Sequence, residues 1–250
     1  MTPDQTHLRL DLAIVARGLA PTRSRARDLI QRGLVLLDGR PATKPALIVA
    51  PDACLAVDGA EASLVSRGGV KLAAALPAFG FEPMGRIALD VGASTGGFTQ
   101  ALLTGGAAKV YAVDVGHGQL HASLIADPRV VSLEGTDARA LTPALIPDPI
   151  GALVADVSFI SLIKALPAAL ALAAPGAFLI ALIKPQFEVG PAHVGKGGIV
   201  RDEATRDGAV TAVRGWIAGR QGWRIAGVIP SPITGGSGNA EYLLGAVRDE

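Results

Sequence analysis

The sequence predicts an α/β protein in which helices cover both faces of a seven-stranded, mostly parallel sheet, preceded by a small α+β domain. Three observations predict it. Beyond residue 66, apolar runs of strand length alternate with helical patterns, as in a doubly wound sheet. The first of those runs ends in a glycine-rich turn that opens a helix, the arrangement found at the carboxyl edge of parallel strands. The N-terminal segment has other habits, being rich in arginine and carrying a hairpin signal. Half of the 250 residues are apolar, which suffices for a real core and excludes intrinsic disorder. The expected division is a first domain over residues 1–58, a linker over 59–66 and a second domain over 67–250.

In the first domain, Leu8, Leu10, Leu12, Ile14 and Val15 begin an apolar stretch that Gly18 stops. Over residues 22–33 a Thr or Ser caps a second helix and Gly33 ends it. The strand Leu34-Val35-Leu36-Leu37 then enters a hairpin at Asp38-Gly39. Eight basic residues (Arg9, Arg17, Arg23, Arg25, Arg27, Arg32, Arg40 and Lys44) face three acids (Asp11, Asp28 and Asp38), a local excess of +5. Such a cluster suits backbone phosphates, where affinity comes largely from counterion release, although composition alone equally allows a solvated helix face. The order of residues adds to this. Leu10-Asp11, Arg17-Gly18-Leu19, Ser24-Arg25, residues 30–35 and Asp38-Gly39 resemble the alpha-L RNA-binding motif of a ribosomal small-subunit protein, pseudouridine synthases and tyrosyl-tRNA synthetases. The resemblance implies an RNA-binding role, with Arg9, Arg17, Arg23, Arg25, Arg27, Arg32 and Lys44 as contacts.

Over the whole chain 23 basic residues balance 22 acids, which argues against a packager of nucleic acid. A lone cysteine, Cys54, cannot form an internal disulfide, and no basic-then-apolar leader opens the chain, so a reducing cytoplasm is expected. Aromatic residues make up only 4%, which argues against a site built from stacked rings. Residues 165–183 carry no charged or polar side chain, close to the roughly 20 residues that span a bilayer. Pro167, the turn signal Pro175-Gly176 and the flanking Lys164 and Lys184 resist a membrane helix. The run therefore reads as a buried helix (162–173), a turn and a buried strand (177–183), with no membrane partner. The remaining strands fall at 86–91, 109–114, 130–133, 152–156, 223–229 and 241–247, with helices between them that include 97–103 and 203–220.

The stretch Asp90-Val91-Gly92-Ala93-Ser94-Thr95-Gly96-Gly97-Phe98 is the most informative. Its glycine spacing is not that of a dinucleotide fingerprint, and no Lys-Ser/Thr follows to grip phosphate. A second strand ends on Asp114, 24 positions after Asp90, where a carboxylate can accept hydrogen bonds from both ribose hydroxyls of an adenosine. Asp137, past the third strand, is placed for the adenine edge. Strand, glycine turn, helix, strand, acid describes a pocket for S-adenosylmethionine, a cofactor without phosphate, in a Rossmann-like methyltransferase.

Four ionisable residues stand at element ends that one sheet edge could gather. Lys71 opens the helix before the first strand, Asp156 ends the fourth strand, Lys184 ends the fifth and Glu241 opens the last. Lys71, the 90–98 loop, Val113-Asp114-Val115-Gly116, Ala155-Asp156-Val157-Ser158-Phe159-Ile160-Ser161, Lys184-Pro185-Gln186-Phe187-Glu188 and Gly238-Asn239-Ala240-Glu241-Tyr242 are similar to the TlyA family. These are "hemolysin"-labelled ribosomal RNA methyltransferases with an FtsJ-like class I catalytic domain. The resemblance covers nearly the whole chain. It implies 2′-O-methylation of cytidine in ribosomal RNA within ribosomal subunits, and a catalytic tetrad at Lys71, Asp156, Lys184 and Glu241. Family members with short C-terminal ends, as here, tend towards the large subunit alone.

A ribose hydroxyl is a poor nucleophile that must lose its proton as it attacks, so Lys184 is assigned as base. Lys71 and Asp156 would position the hydroxyl and methyl, and Glu241 would orient a lysine. The cationic loop 190–198, with Lys196, is expected to cover substrate RNA. His117 and His121 have metal-chelating helical spacing but lack a third ligand, so both read as exposed helix residues and no metal is expected. Cys54 reads as buried. Two rivals remain: a membrane-associated hemolysin, supported only by residues 165–183, and a non-catalytic RNA-binding protein that keeps a cofactor pocket.

Overall fold

The computed structural model describes residues 7–20, 22–57, 64–235 and 238–249. The chain divides into two compact units, Met1–Leu64 and Val65–Glu250. Most of the expected linker, residues 59–63, lies outside the described residues, as does residue 58.

In the first unit, β1 (Leu8–Arg9) leads into α1 (Leu10–Ala16), followed by α2 (Arg23–Gln31), β2 (Val35–Leu37), β3 (Arg40–Ala42), β4 (Ile48–Val49) and β5 (Leu55–Val57). Thr22 caps α2 by accepting from the Arg25 N–H at 3.2 Å. Asp38 and Gly39 both adopt positive φ (49° and 77°), the conformation a two-residue hairpin requires between β2 and β3. β2 is the centre of a three-stranded antiparallel sheet, and Leu10, Ile14, Leu29, Ile30 and Val35 fill the core beneath it. Cys54 is exposed rather than buried. Its backbone pairs with Asp38, donating to the carboxylate and accepting from the N–H, and its small apolar neighbours in sequence do not cover its thiol.

The second unit runs α3 (Gly68–Phe79), β6 (Ile87–Val91), α4 (Gly97–Thr104), β7 (Lys109–Asp114), α5 (Ala122–Ile125), β8 (Val130–Glu134), β9 (Ile150–Ala155), α6 (Leu162–Ala165), α7 (Pro167–Ala171), β10 (Ala173–Ile183), α8 (Pro185–Glu188), α9 (Glu203–Ala218), β11 (Trp223–Pro230) and β12 (Tyr242–Arg248). Its seven strands lie in the order β11-β12-β10-β9-β6-β7-β8, parallel except where β12 runs against β10 and β11. The chain steps outward from β6 to β8 and then returns to place β9 on the other side of β6. That reversal opens a crevice beyond the carboxyl ends of β6 and β9, where open α/β sheets hold ligands.

Alternation along the strands sorts side chains between two apolar layers. Leu179, Ala181 and Ile183 face α6, α7 and α9, while Phe178, Ile180 and Leu182 face α3 and α4. The apolar run 165–183 is consumed in this way. Among the described residues, no helix is long and apolar enough to cross a membrane.

The helix expected over 162–173 is two short helices, because Pro167 opens a new one at its first position. The expected turn at Pro175-Gly176 lies inside β10, at a shift of register against β9 between Ala173 and Phe178. A bulge leaves residues outside the ladder, so a proline without an N–H is tolerated there.

Candidate active site

Register, more than sequence distance, assembles the site. Val91 pairs with Ala155, so Gly92 and Asp156 leave the sheet side by side. Tyr242 pairs with Ile183, so Glu241 and Lys184 leave the same edge from antiparallel neighbours. Gly92 has φ 84°, and a Cβ there would lie 2.5 Å from the Asp156 carbonyl oxygen, so only glycine fits. The first turn of α3 brings Lys71 to this edge.

Two adjoining cavities result, sharing Gly92, Ser94, Asp156 and Ser158. The smaller, about 270 Å³, is lined by Lys71, Asp156, Lys184, Ala93, Thr95, Gly97 and Phe98 among others. In it the expected tetrad forms two ion pairs. Lys71 Nζ lies 2.5 Å from Glu241 Oε2, both side chains nearly buried. Lys184 Nζ lies 2.5 Å from Asp156 Oδ1 and donates to Ser158 Oγ at 3.0 Å. Glu241 reaches the cavity only through Lys71, being absent from its walls.

The larger cavity, about 610 Å³, is walled by the ends of β6, β7 and β9, including Asp114, Val115, Asp137, Arg139, Phe159 and Ile160. Asp114 accepts from the backbone N–H groups of Ser94 and Gly116, each at 2.8 Å, which fixes its carboxylate at the rim. Each carboxylate oxygen keeps a second lone pair for a ligand hydroxyl. Asp137 accepts from the Arg139 N–H and pairs with its guanidinium, which holds the carboxyl down at about 2.

Asp90 lines neither cavity. It is fully buried on the α4 side of the sheet, where it accepts from Thr99 Oγ1 at 2.7 Å while its other oxygen has no partner. Burial pushes its carboxyl up to about 7, against the Thr99 hydrogen bond and with help from the nearby Asp156 and Asp114 charges. Gly96 also lies off both cavities, at the N-cap of α4 and against Leu120 and Leu124.

The sequence reading missed several residues here. Phe159 is 93% exposed at φ 63°, and its ring centroid lies 5.2 Å from that of Phe187. A scarcity of aromatics had argued against rings at the site, yet a phenylalanine held at positive φ is an uncommon conformation placed at a cavity rim. Glu188 reaches across to accept from Ser161 Oγ at 2.5 Å and the Leu162 N–H at 2.9 Å, tying the loop after β10 to the loop after β9. Asn239 is buried and holds the 190–198 loop, accepting from the Val200 N–H at 3.0 Å and donating to the Gly198 carbonyl at 2.8 Å. Lys196 on that loop is exposed.

The cations of the first unit separate into groups. Arg25 and Arg32 are largely covered and pair with Asp28. Arg17 donates to the backbone carbonyls of Pro51, at 2.7 Å, and Ala53. Arg9, Arg23 and Arg27 share Asp11, and Lys44 is exposed. The histidines are not on a helix face as expected. His117 lies in an irregular segment, and His121 is the half-buried N-cap of α5, because the chain after β7 turns before it becomes helical.

Comparison with known proteins agrees with this geometry. Residues 64–248 match the model of the FtsJ-like methyltransferases, and residues 8–53 match that of the S4 domain. The chain is 51% identical over 237 residues to the 16S/23S rRNA (cytidine-2′-O)-methyltransferase TlyA of Mycobacterium tuberculosis, covering 94% of this chain and 88% of that one. It is 41% identical to Hemolysin A of Brachyspira hyodysenteriae, over 94% of this chain and 98% of that one. Among solved structures, a hemolysin-like protein from Streptococcus thermophilus superposes with a TM-score of 0.73 at 37% identity, covering 98% of this chain and 90% of that one. The chain thus belongs to the TlyA family of S-adenosylmethionine-dependent ribosomal RNA methyltransferases, an S4 domain followed by an FtsJ-like catalytic domain.

Proposed function

We propose that this protein is a cytoplasmic enzyme that methylates the 2′-hydroxyl of a cytidine in ribosomal RNA, acting on assembled ribosomal subunits. The observation that carries the reading is a cavity lined by Lys71, Lys184, Asp156 and the glycine loop, with Glu241 fixing Lys71 from behind, that shares walls with the larger cavity beside Asp114. The larger cavity fits S-adenosylmethionine. Gly92 leaves backbone where a Cβ would intrude, Asp114 presents a fixed carboxylate for ribose hydroxyls, and Val115 and Ile160 offer apolar walls to a base. When bound, that cofactor supplies an electrophilic methyl group on sulfur.

The chain's own residues handle the other partner. Lys184, held between Asp156 and Ser158, takes the proton from the ribose hydroxyl once its own proton has passed to solvent, since only the neutral amine carries the accepting lone pair. Lys71, fixed by Glu241, donates to the same ribose and keeps it aligned. Asp156 holds Lys184 in place. Phe159 at the rim supplies an aromatic face for a cytosine drawn out of its stack, which a ribose inside a helix requires for in-line attack. Arg9, Arg23, Arg27 and Lys44 bind the RNA backbone, and Lys196 lies on a loop that covers it.

Transfer of labelled methyl groups to unmodified ribosomal subunits, followed by mapping of the modified nucleotide, tests the reading. Wild-type protein should label a cytidine ribose in at least one of the two subunits. Lys184→Ala should lower turnover by about 10²–10⁴-fold, as loss of a general base does, with cofactor affinity within a few fold. Full turnover in that variant would remove Lys184 from the chemistry.

A further inference from the structure

Asp11 is the only acid on α1, wholly buried, and it meets three arginines. Arg9 grips it with two nitrogens, Nε at 3.1 Å and Nη2 at 3.2 Å. Arg23 Nε reaches Oδ2 at 3.0 Å, and Arg27 Nε reaches the same oxygen at 3.7 Å. A buried carboxylate needs a counter-charge and donors for its remaining lone pairs, and Arg9 with Arg23 supplies both. Three arginines place two surplus positive charges together, and two of them stand in the first turns of α2, whose N-terminus is already the positive end of its dipole. Nothing acidic in that first turn offsets them. Satisfying the buried carboxylate accounts for Arg9 and Arg23 but not for a third guanidinium, Arg27, at 3.7 Å.

Exposure separates these arginines from their neighbours. Arg25 and Arg32, paired with Asp28, expose 11% and 16% of their side chains. Arg9, Arg23 and Arg27 expose 36%, 51% and 54%. Arg23 and Arg27 meet Asp11 through Nε, which leaves the planar fork of terminal nitrogens to a second acceptor. We propose that buried Asp11 preassembles Arg9, Arg23 and Arg27 into a site for RNA backbone phosphate, an inference that rests on the RNA-substrate reading above. Asp11 is then a positioning residue, acting through the guanidinium groups it orients. Anchoring lowers the side-chain entropy lost when phosphate binds.

The sign of one substitution decides the matter. Asp11→Asn removes a negative charge beside the phosphate site, so charge counting predicts tighter binding, whereas loss of preassembly predicts weaker binding. The full-length protein is titrated with unmodified ribosomal subunits over a range of KCl concentrations. Asp11→Asn should weaken binding by about 5–20-fold while S-adenosylmethionine affinity stays unchanged; equal or tighter binding overturns the proposal.

Arg27→Gln, at a half-exposed side chain, keeps the proposal testable if Asp11→Asn unfolds the first unit. It should weaken binding a few fold and reduce the slope of log affinity against log salt by about one, and unchanged affinity and slope overturn the proposal. With all three arginines changed to Gln, adding Asp11→Asn should cost nothing more, and a further loss overturns it. Failure of the wild-type protein to bind or methylate the subunits would overturn the functional reading and this inference together. A wild-type protein that does both, matched by Asp11→Asn, sinks the inference alone.

Discussion

Asp90 shows how far a single residue can depart from its place in a motif. It opens the glycine-loop signature, yet its side chain lies beneath the loop and away from both cavities, bonded to Thr99. Its carboxyl is raised to about 7 by burial, so below about pH 4 the folded and unfolded chains both hold the proton. Between pH 4 and 7 the unfolded chain releases it and the folded chain does not. Stability should therefore fall as pH rises through that window, by about 1.4 kcal/mol per unit from this group alone. Asp90→Asn should remove that slope and make the protein more stable than wild type at neutral pH, measured by urea unfolding at pH 5 and pH 7.5. Gly92→Ala meets both a positive φ and the Asp156 carbonyl, and should destabilise the protein by about 1–3 kcal/mol and weaken cofactor binding, read by calorimetry. Asp90 was legible as part of a loop but not as a buried acid, because which face of β6 it joins depends on what packs there.

Elements were legible where their signals are local. The Thr22 cap, the Asp38-Gly39 turn and the strands at 109–114 and 223–230 all follow from neighbouring residues. The span from 162 to 183 was read less well, since Pro175-Gly176 makes a turn in most settings and a bulge only when a partner strand absorbs the irregularity. Ties between loops were not legible as pairs, although Lys184 and Asp156 were expected at the same sheet edge. Lys184 to Asp156 and Ser158, Phe187 to Phe159, and Glu188 to Ser161 and Leu162 zip the loop after β10 to the loop after β9. Glu188→Ala leaves the first turn of α6 without its acceptor and should cost about 1–3 kcal/mol. It should also lower turnover more than cofactor affinity, because Asp156 and Lys184 ride on the two loops it joins; thermal melts and steady-state kinetics read the two effects.

For the molecule as a whole, each unit carries its own core, Leu10, Ile14, Leu29 and Ile30 in the first and two apolar layers against the seven-stranded sheet in the second. All residues of both cavities belong to the second unit, and the Asp11 arginines belong to the first. Residues 65–250 alone should thus bind S-adenosylmethionine within a few fold of the full chain while methylating ribosomal subunits at least tenfold more slowly, checked by calorimetry and labelled transfer. Equal methylation by the shorter chain would show that the first unit adds nothing to substrate capture.

Order along the chain was enough to announce a glycine loop, an acid one strand later, four ionisable residues at element ends and an arginine-rich helical segment. Those features are local, set by side-chain type and spacing, and they survive without knowledge of partners. Which lysine meets which carboxylate was settled by strand register, since Lys71 and Glu241 are 170 positions apart and touch only because β12 enters the sheet antiparallel beside β10. The fate of each charge was settled in the same way: one face of a strand or helix is dry and the other wet, and only packing says which. That is why Asp90 and Asp11 are buried, whereas Phe159 stands in water because the loop after β9 holds it at positive φ, away from either apolar layer.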